Sequence, residues 1–219
     1  MTTTQDDGAT SYFEYDEKNQ LTGMVDAEQG RWFKQYDGSG NLIKEIDPLK
    51  HETAYAYNAM GLVTSITDVK GGSKSLKYDE AGLILSRTDA LNHKLKYKWD
   101  RLGRLTRLIN ENGASYQFFY DLGGRLIKEV DFDGKETVYH YDENSGQLAT
   151  SIEVASAYGQ DLKDRAAPKD RIQQFIFDSM GRLEQRTAGY GRYGLELEEK
   201  QTEEFAYDYM GRIIQAKNA

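Results

Sequence analysis

Residues 97–105 read Tyr97-Lys98-Trp99-Asp100-Arg101-Leu102-Gly103-Arg104-Leu105. An aromatic is followed by Asp, two variable residues, Gly, one variable residue and an aliphatic. That frame recurs with its aromatic at Tyr15, Tyr36, Tyr57, Tyr78, Trp99, Tyr120 and Tyr141, a spacing of 21 residues over seven occurrences, and again at Phe177 and Tyr207 after gaps of 36 and 30. A chain built from short copies of one unit buries its surface by stacking neighbours rather than by collapsing around one centre. The 219 residues therefore read as one array of nine repeats over 12–219, preceded by a leader or artificial N-terminal addition over 1–11.

Within a repeat, the residue two before the anchor aromatic is also bulky: Phe13, Tyr55, Leu76, Tyr97, Phe118, Tyr139, Phe175 and Phe205, with Lys34 the exception. Side chains two apart on a strand share a face, so each anchor closes a short β-strand. The anchor is followed by Asp16, Asp37, Asp79, Asp100, Asp121, Asp142, Asp178 and Asp208, with Asn58 in the third repeat. Three residues beyond lies Gly40, Gly61, Gly82, Gly103, Gly124, Gly181 or Gly211; Asn19 holds that place in the first repeat, and Asp142–Gly146 carries one extra residue. A short carboxylate accepts backbone N–H bonds and Gly adopts the left-handed conformation, which is the chemistry of a tight hairpin turn.

A second strand begins six residues past the anchor, at Leu21, Leu42, Val63, Ile84, Leu105, Leu126, Leu148, Leu183 and Ile213. Its apolar stripe is interrupted by Lys44, Ser65, Ser86, Arg107 and Lys128. A further Asp or Asn (Asp26, Asp47, Asp68, Asp89, Asn110, Asp131) then leads to Gly30, His51, Gly72, His93, Gly113 or Gly134 in a second turn. Nine hairpins give up to 18 strands, a strip of about 85 Å at ~4.8 Å per strand, which is expected to twist and curl. The narrow stripe is too little for a sandwich, which needs one wide apolar face per sheet. The expected fold is all-β: a curved single-layer wall held by ladder hydrogen bonds and by aromatic rows stacked repeat upon repeat.

Composition bounds the function. A net charge of −8 with pI near 5.0 argues against nucleic acid, whose phosphates require clustered Lys and Arg. Mean hydropathy is −0.76, yet 16 Tyr, 8 Phe and 2 Trp make the chain too aromatic for disorder. The absence of Cys excludes disulfides and thiolate metal sites. No apolar run is long enough to span a membrane and the start lacks the parts of a signal peptide.

Candidate chemistry is sparse. The Asp residues recur in every unit, whereas a catalytic pair would occur once, so they read as turn residues. His51 and His93 share a repeat position two repeats apart, too far for one metal, and His140 stands elsewhere; no catalytic, cofactor or metal site is assigned. The Tyr rows could alternatively form a carbohydrate platform. Two irregular connections, 155–171 and 189–204, read as excursions from the wall rather than extra strands, with Tyr158, Tyr190 and Tyr193 available to touch cargo or a neighbouring wall segment.

The motifs Tyr36-Asp37-Gly38-Ser39-Gly40-Asn41-Leu42, Trp99-Asp100-Arg101-Leu102-Gly103-Arg104-Leu105 and Tyr207-Asp208-Tyr209-Met210-Gly211-Arg212-Ile213 resemble the YD repeats of the Rhs family, over residues 12–217. That family includes bacterial Rhs polymorphic toxins, the encapsulating component of insecticidal toxin complexes, and animal teneurins. The resemblance implies a β-strip spiralling into a hollow shell that, in bacterial members, encloses a C-terminal toxin until delivery. It implies the remainder of the shell and that toxin as partners, self-association through free sheet edges, and export from a Gram-negative bacterium without a classical signal peptide, as by type VI secretion. An adhesion or glycan-binding YD module is the alternative. The family's Asp-Pro-x-Gly-Leu cleavage motif, toxin domain and spike-binding domain are absent, which suggests a piece of a longer protein; Asp47-Pro48-Leu49 is only an echo, because His51 stands where that motif needs Gly.

Overall fold

The computed structural model describes the backbone of residues 2–4 and the full residues 10–155 and 169–218. They contain nineteen strands and no helix, so none crosses a membrane as a helix. The chain divides into two units, residues 1–103 with 109–112 and residues 104–108 with 113–219.

The first unit carries β1 (Thr2–Thr4), β2 (Thr10–Tyr15), β3 (Leu21–Val25), β4 (Arg31–Tyr36), β5 (Leu42–Ile46), β6 (Glu52–Tyr57), β7 (Val63–Thr67), β8 (Ser73–Tyr78), β9 (Ile84–Thr88) and β10 (Lys94–Trp99). Each strand is antiparallel to the next, from β1–β2 through β9–β10. After β11 (Leu105–Ile109), the second unit continues with β12 (Ser115–Tyr120), β13 (Leu126–Val130), β14 (Glu136–Tyr141), β15 (Leu148–Glu153), β16 (Asp170–Phe177), β17 (Leu183–Gly191), β18 (Glu198–Tyr207) and β19 (Ile213–Asn218). From β12 to β19 every strand again pairs antiparallel with its successor. The all-β hairpin array expected from the 21-residue period is the observed architecture.

Both turns of a repeat use one device. In the first, Asp37 Oδ1 accepts from the N–H groups of Ser39 and Asn41, both at 2.9 Å, while Gly40 N–H donates to Asp37 O and takes φ +92°. Asn58 does the same work through its amide oxygen, and Asn19 sits at φ +62° in the Gly place. The extra residue of the seventh turn is absorbed by moving the left-handed residue to Gly146 at φ +71°.

The second turn is closed in the same way. The left-handed residues are Gln29, Lys50, Gly71, Asn92, Gly113 and Gly134, always three after the Asp or Asn. Gly30, His51, Gly72 and His93 come one later, where the backbone N–H returns to the carboxylate: Gly30 to Asp26 Oδ1 at 2.7 Å, His51 to Asp47 Oδ1 at 2.9 Å. Three non-Gly residues thus occupy a conformation that disfavours a side chain, held there by the carboxylate and by both flanking strands.

The regular repeats have little core. Among the described residues the buried hydrophobic side chains are Ile152, Ile172 and Leu197, with Val138 and Val154 packed against them, all in the second unit. Elsewhere most strand residues are half-buried or exposed, as in a single-layer sheet. The polar row of the second strands is satisfied laterally: Lys44 pairs with Glu52 at 2.7 Å, Ser65 with Ser73 at 3.0 Å, Arg107 with Gln117 at 3.2 Å and Lys128 with Glu136 at 3.0 Å.

The core arises from the connection over 189–204, which differs from the expected excursion. It lengthens β17 and β18 to 9 and 10 residues and bends their hairpin back. The bend lies where Ala188 pairs with Gln201 and Tyr190 with Glu198, leaving Glu199, at φ +49°, and Lys200 opposite Gly189 alone. Such a bulge turns a strand out of its plane. Leu197 then drops against Ile152 and Ile172, and Tyr193 stacks on His140 with centroids 4.3 Å apart. Gly189 is required for this approach, because a Cβ there would lie 2.8 Å from Glu198 O and 3.0 Å from Leu197 Cβ. Of the aromatics proposed to anchor a contact, Tyr193 reaches a wall strand, Tyr190 is exposed, and Tyr158 lies outside the described residues.

Candidate functional site: the joints between repeats

The anchors were expected to stack in rows. Instead seven of the nine reach back to the preceding repeat with a hydrogen-bond donor. Tyr36 Oη donates to Leu21 O at 2.9 Å, Tyr57 to Leu42 O at 2.7 Å, Tyr78 to Val63 O at 2.7 Å, Tyr120 to Leu105 O at 2.8 Å, Tyr141 to Leu126 O at 2.7 Å and Tyr207 to Leu183 O at 2.8 Å. Trp99, the one indole in the row, keeps the contact through Nε1 to Ile84 O at 2.8 Å. The acceptor is always the first residue of the preceding repeat's second strand. Phe177 has no donor to offer, so the joint between the seventh and eighth repeats lacks this bond.

At several joints the residue just before that acceptor adds a contact. Arg104, Arg125 and Arg182 lie over the rings of Tyr120, Tyr141 and Tyr207 at 4.8, 4.9 and 4.8 Å. Arg104 and Arg182 also donate to the carbonyls of Asp121 and Asp208, while Gln20 and Gln147 donate to the carbonyls of Gly40 and Gly181. Ring–ring contacts fall elsewhere: Tyr97 with Trp99 in one strand, and Tyr116 with Phe118 and Phe132. A net hydrogen bond contributes about 1 kcal/mol and an exposed cation–π contact about 0.5–1 kcal/mol, so each joint is modest and the array is stabilised by their number. The Tyr-over-Phe bias of the anchors and the Arg at four of the nine preceding positions were visible signals, but their partner, a main-chain carbonyl one repeat away, has no signature in composition.

The turn carboxylates serve the same structure. Asn41, Arg125, Arg182 and Arg212 use side-chain nitrogens on the second oxygen of Asp37, Asp121, Asp178 and Asp208 at 2.7 to 2.9 Å, and His51 and His93 place Nδ1 2.8 and 3.1 Å from Asp47 and Asp89. The Asn41 amide and backbone hold Asp37 below the ordinary carboxylate range, as the Arg125 side chain does Asp121. Backbone N–H donors, led by Ser145, Arg182 and Arg212, depress Asp142, Asp178 and Asp208. His51 and His93 each therefore serve their own turn. Among the described residues no group of three or more His, Asp or Glu is placed to hold a metal ion.

One carboxylate departs from the repeat. Glu129 accepts from Tyr139 Oη at 2.8 Å and also faces Tyr116. Burial, then the hydrogen bond to Glu129, pushes Tyr116 up to about 12 and raises Tyr139 as well. Both phenols stay protonated donors at neutral pH and lack the acidity of a nucleophile. Open grooves of about 680 Å³ and about 640 Å³ recur at equivalent places, beside Asp16, Lys18 and Tyr36 and beside Asp142, Gln147 and Phe177. A catalytic pocket would occur once; these are the spaces between successive hairpins.

Among the described residues one kind of joint recurs seven times, which is the architecture of a structural shell segment. The sequence matches the teneurin YD-shell family over residues 1–153, and the chain belongs to that family. Among solved structures, a TcdB2-TccC3-TEV crystal structure aligns with TM-score 0.71 at 16% identity, covering 100% of this chain and 12% of the other. TcdB2-TccC3 aligns with TM-score 0.60 at 15% identity, covering 98% and 14%, and a Photorhabdus luminescens Tc holotoxin pore carrying TccC3-D651A with TM-score 0.55 at 15% identity, covering 97% and 13%. At these identities the likeness is one of fold, and the chain spans about an eighth of those structures' length. No curated protein matches the sequence.

Proposed function

We propose that this chain is a non-enzymatic wall segment of an Rhs-type cage that encloses a toxic C-terminal domain and isolates it until delivery to a competing bacterium or a host. The observation that supports it most is the joint itself, made the same way seven times by an anchor donor and a carbonyl one repeat away. Such a joint extends indefinitely along a strip and supplies no reactive group, so the work it does is confinement. The partners on this reading are the rest of the shell and the enclosed toxin, and export proceeds without a classical signal peptide, as by a type VI machine. Half-burial of the anchors after the first, and use of their donors within the wall, leave them poorly placed to read a glycan.

The test is protease protection in the full-length protein. Intact cage should shield its enclosed segment from added protease, and Tyr78→Ala with Tyr120→Ala should abolish the shielding while the strand content by circular dichroism persists. An enclosed segment cut equally fast with and without those substitutions would overturn the reading.

A further inference from the structure

One rung of the wall breaks the lateral pattern. In the polar row of the second strands, Lys44 is met by Glu52, Ser65 by Ser73, Arg107 by Gln117 and Lys128 by Glu136, each partner coming from the strand that follows. The remaining member, Ser86, has Lys94 at the place held elsewhere by Glu52, Ser73 and Glu136, the first residue of the next strand. Ser86 is only 6% exposed, yet its hydroxyl makes no hydrogen bond among the described residues. Buried hydroxyls are ordinarily paired. A lysine where two other rungs carry a glutamate leaves this one with a cation and no carboxylate.

The neighbouring strands extend the imbalance. β7 to β10 hold Lys74, Lys77, Arg87, Lys94, Lys96 and Lys98 and no Asp or Glu, in a chain of net charge −8. Register sorts these cations between the two faces. Residues directly paired across an antiparallel ladder share a face, and Ser86 pairs with Lys77 on one side and Lys96 on the other, while Thr88 pairs with Ser75 and Lys94. Lys74 and Arg87, one residue out of step, lie on the opposite face. Lys77 and Lys96 are exposed and Lys94 is half-buried, and none of the three enters an ion pair or hydrogen bond among the described residues.

Two places for an oxyanion therefore lie along β9, one over Ser86 between Lys77 and Lys96 and one over Thr88 beside Lys94. They are two residues apart on one strand, about 6.6 Å, which is also the separation of alternate side chains on any extended polypeptide. Lysine acts as a point charge rather than as the planar fork with which Arg grips phosphate. The paired residues of this face include no aromatic on which a base could stack. Carboxylates carried on a polypeptide suit it better than a nucleic acid does.

We propose that this face of β7 to β10 binds an acidic polypeptide segment in extended conformation. One carboxylate accepts from the Ser86 hydroxyl between the Lys77 and Lys96 ammonium groups, and another, two residues along, lies over Thr88 beside Lys94. Charge complementarity and the unpaired hydroxyl carry this inference, which does not depend on what the wall encloses.

Fluorescence anisotropy of the whole chain with a labelled peptide of four Glu-Thr repeats should show saturable binding at low ionic strength that weakens as salt screens the charges. A peptide of the same composition with its Glu residues contiguous should bind about fivefold more weakly, since only half of them face the sheet. Lys77→Gln with Lys96→Gln should weaken binding of the alternating peptide by about five- to twentyfold, whereas Lys74→Gln with Arg87→Gln, an equal charge change on the opposite face, should leave it within about twofold. Ser86→Ala should cost about fivefold, the effect of one hydrogen bond. On the unsubstituted chain, the alternating peptide should slow acylation of Lys77, Lys94 and Lys96 by acetic anhydride relative to Lys74, a result that needs no variant to fold. Absence of binding, equal losses for the two double variants, no protection of the three lysines, or an oligothymidylate bound as tightly as the peptide would overturn the proposal. Cargo shielding in the full-length protein is read separately, so its failure leaves this surface untouched.

Discussion

The first seven repeats and the stretch from Ile152 to Tyr207 solve the same stability problem differently. In the regular repeats no hydrophobic side chain is buried, and order comes from ladder bonds, carboxylate-closed turns and the donor–carbonyl joint. In the later stretch a bulge at Glu199 folds one hairpin back and creates a small true core of Ile152, Ile172 and Leu197. A single layer can be stable where many weak contacts repeat; where the period breaks, as at the 36- and 30-residue gaps, burial compensates. The joint that lacks an anchor hydroxyl, at Phe177, is the one beside that core.

The largest effect expected from this contrast is at Ile172, which is 1% exposed. Ile172→Ala should cost about 2–5 kcal/mol, the range for truncating a buried aliphatic, and Ile46→Ala, in a half-buried wall position, distinctly less by urea denaturation. Equal losses would erase the distinction between the two regions. Gly189→Ala should come next, because its new Cβ meets the Glu198 carbonyl and the Leu197 side chain; quenching of Tyr193 against His140 should disappear with it.

Within the regular repeats, Gly103→Val forces a β-branched residue to φ near +75° and should cost about 1–2 kcal/mol, against little change for Leu102→Val at a position 77% exposed. Coincident melting temperatures would refute the turn assignment. Tyr78→Phe should cost about 1 kcal/mol, and Phe177→Tyr should recover a comparable amount if the seventh joint lacks only the hydroxyl.

The smallest effects are distributed and appear with pH. The depressed turn carboxylates, Asp37, Asp121, Asp142, Asp178 and Asp208, bind protons less readily folded than unfolded. Their contribution is complete above the unfolded value near 4 and is lost as pH falls through the folded values, so the melting temperature should be level near neutrality and drop in acid. Tyr116 and Tyr139 act in the opposite direction, being raised by burial and Glu129. Their contribution is complete below the unfolded value near 10 and is lost between there and about 12 for Tyr116, so Glu129→Gln should soften the alkaline limb alone.

Much of the wall was legible from residues because its determinants are local. The period gives the hairpins, and each turn is closed within four residues by an Asp, as at Asp37 and Asp68, and opened by a left-handed residue. The left-handed site of the second turn has no single residue type to mark it, because Gln29, Lys50 and Asn92 hold it without being Gly while Gly30 and Gly72 come one residue after it. The connection over 189–204 was misjudged because a strand pair that continues through a bulge resembles a polar loop in composition.

By itself, then, the sequence determined the repeat, its two strands and its turns, since these depend on contacts a few residues apart that recur nine times and reinforce one another. The tertiary structure alone decided what the anchor hydroxyls bind, which side chains cover their rings, and where a core exists. Those depend on main-chain carbonyls 15 or 24 residues distant and on Leu197 meeting Ile152, groups that every residue or every aliphatic carries and that only the folded register brings together.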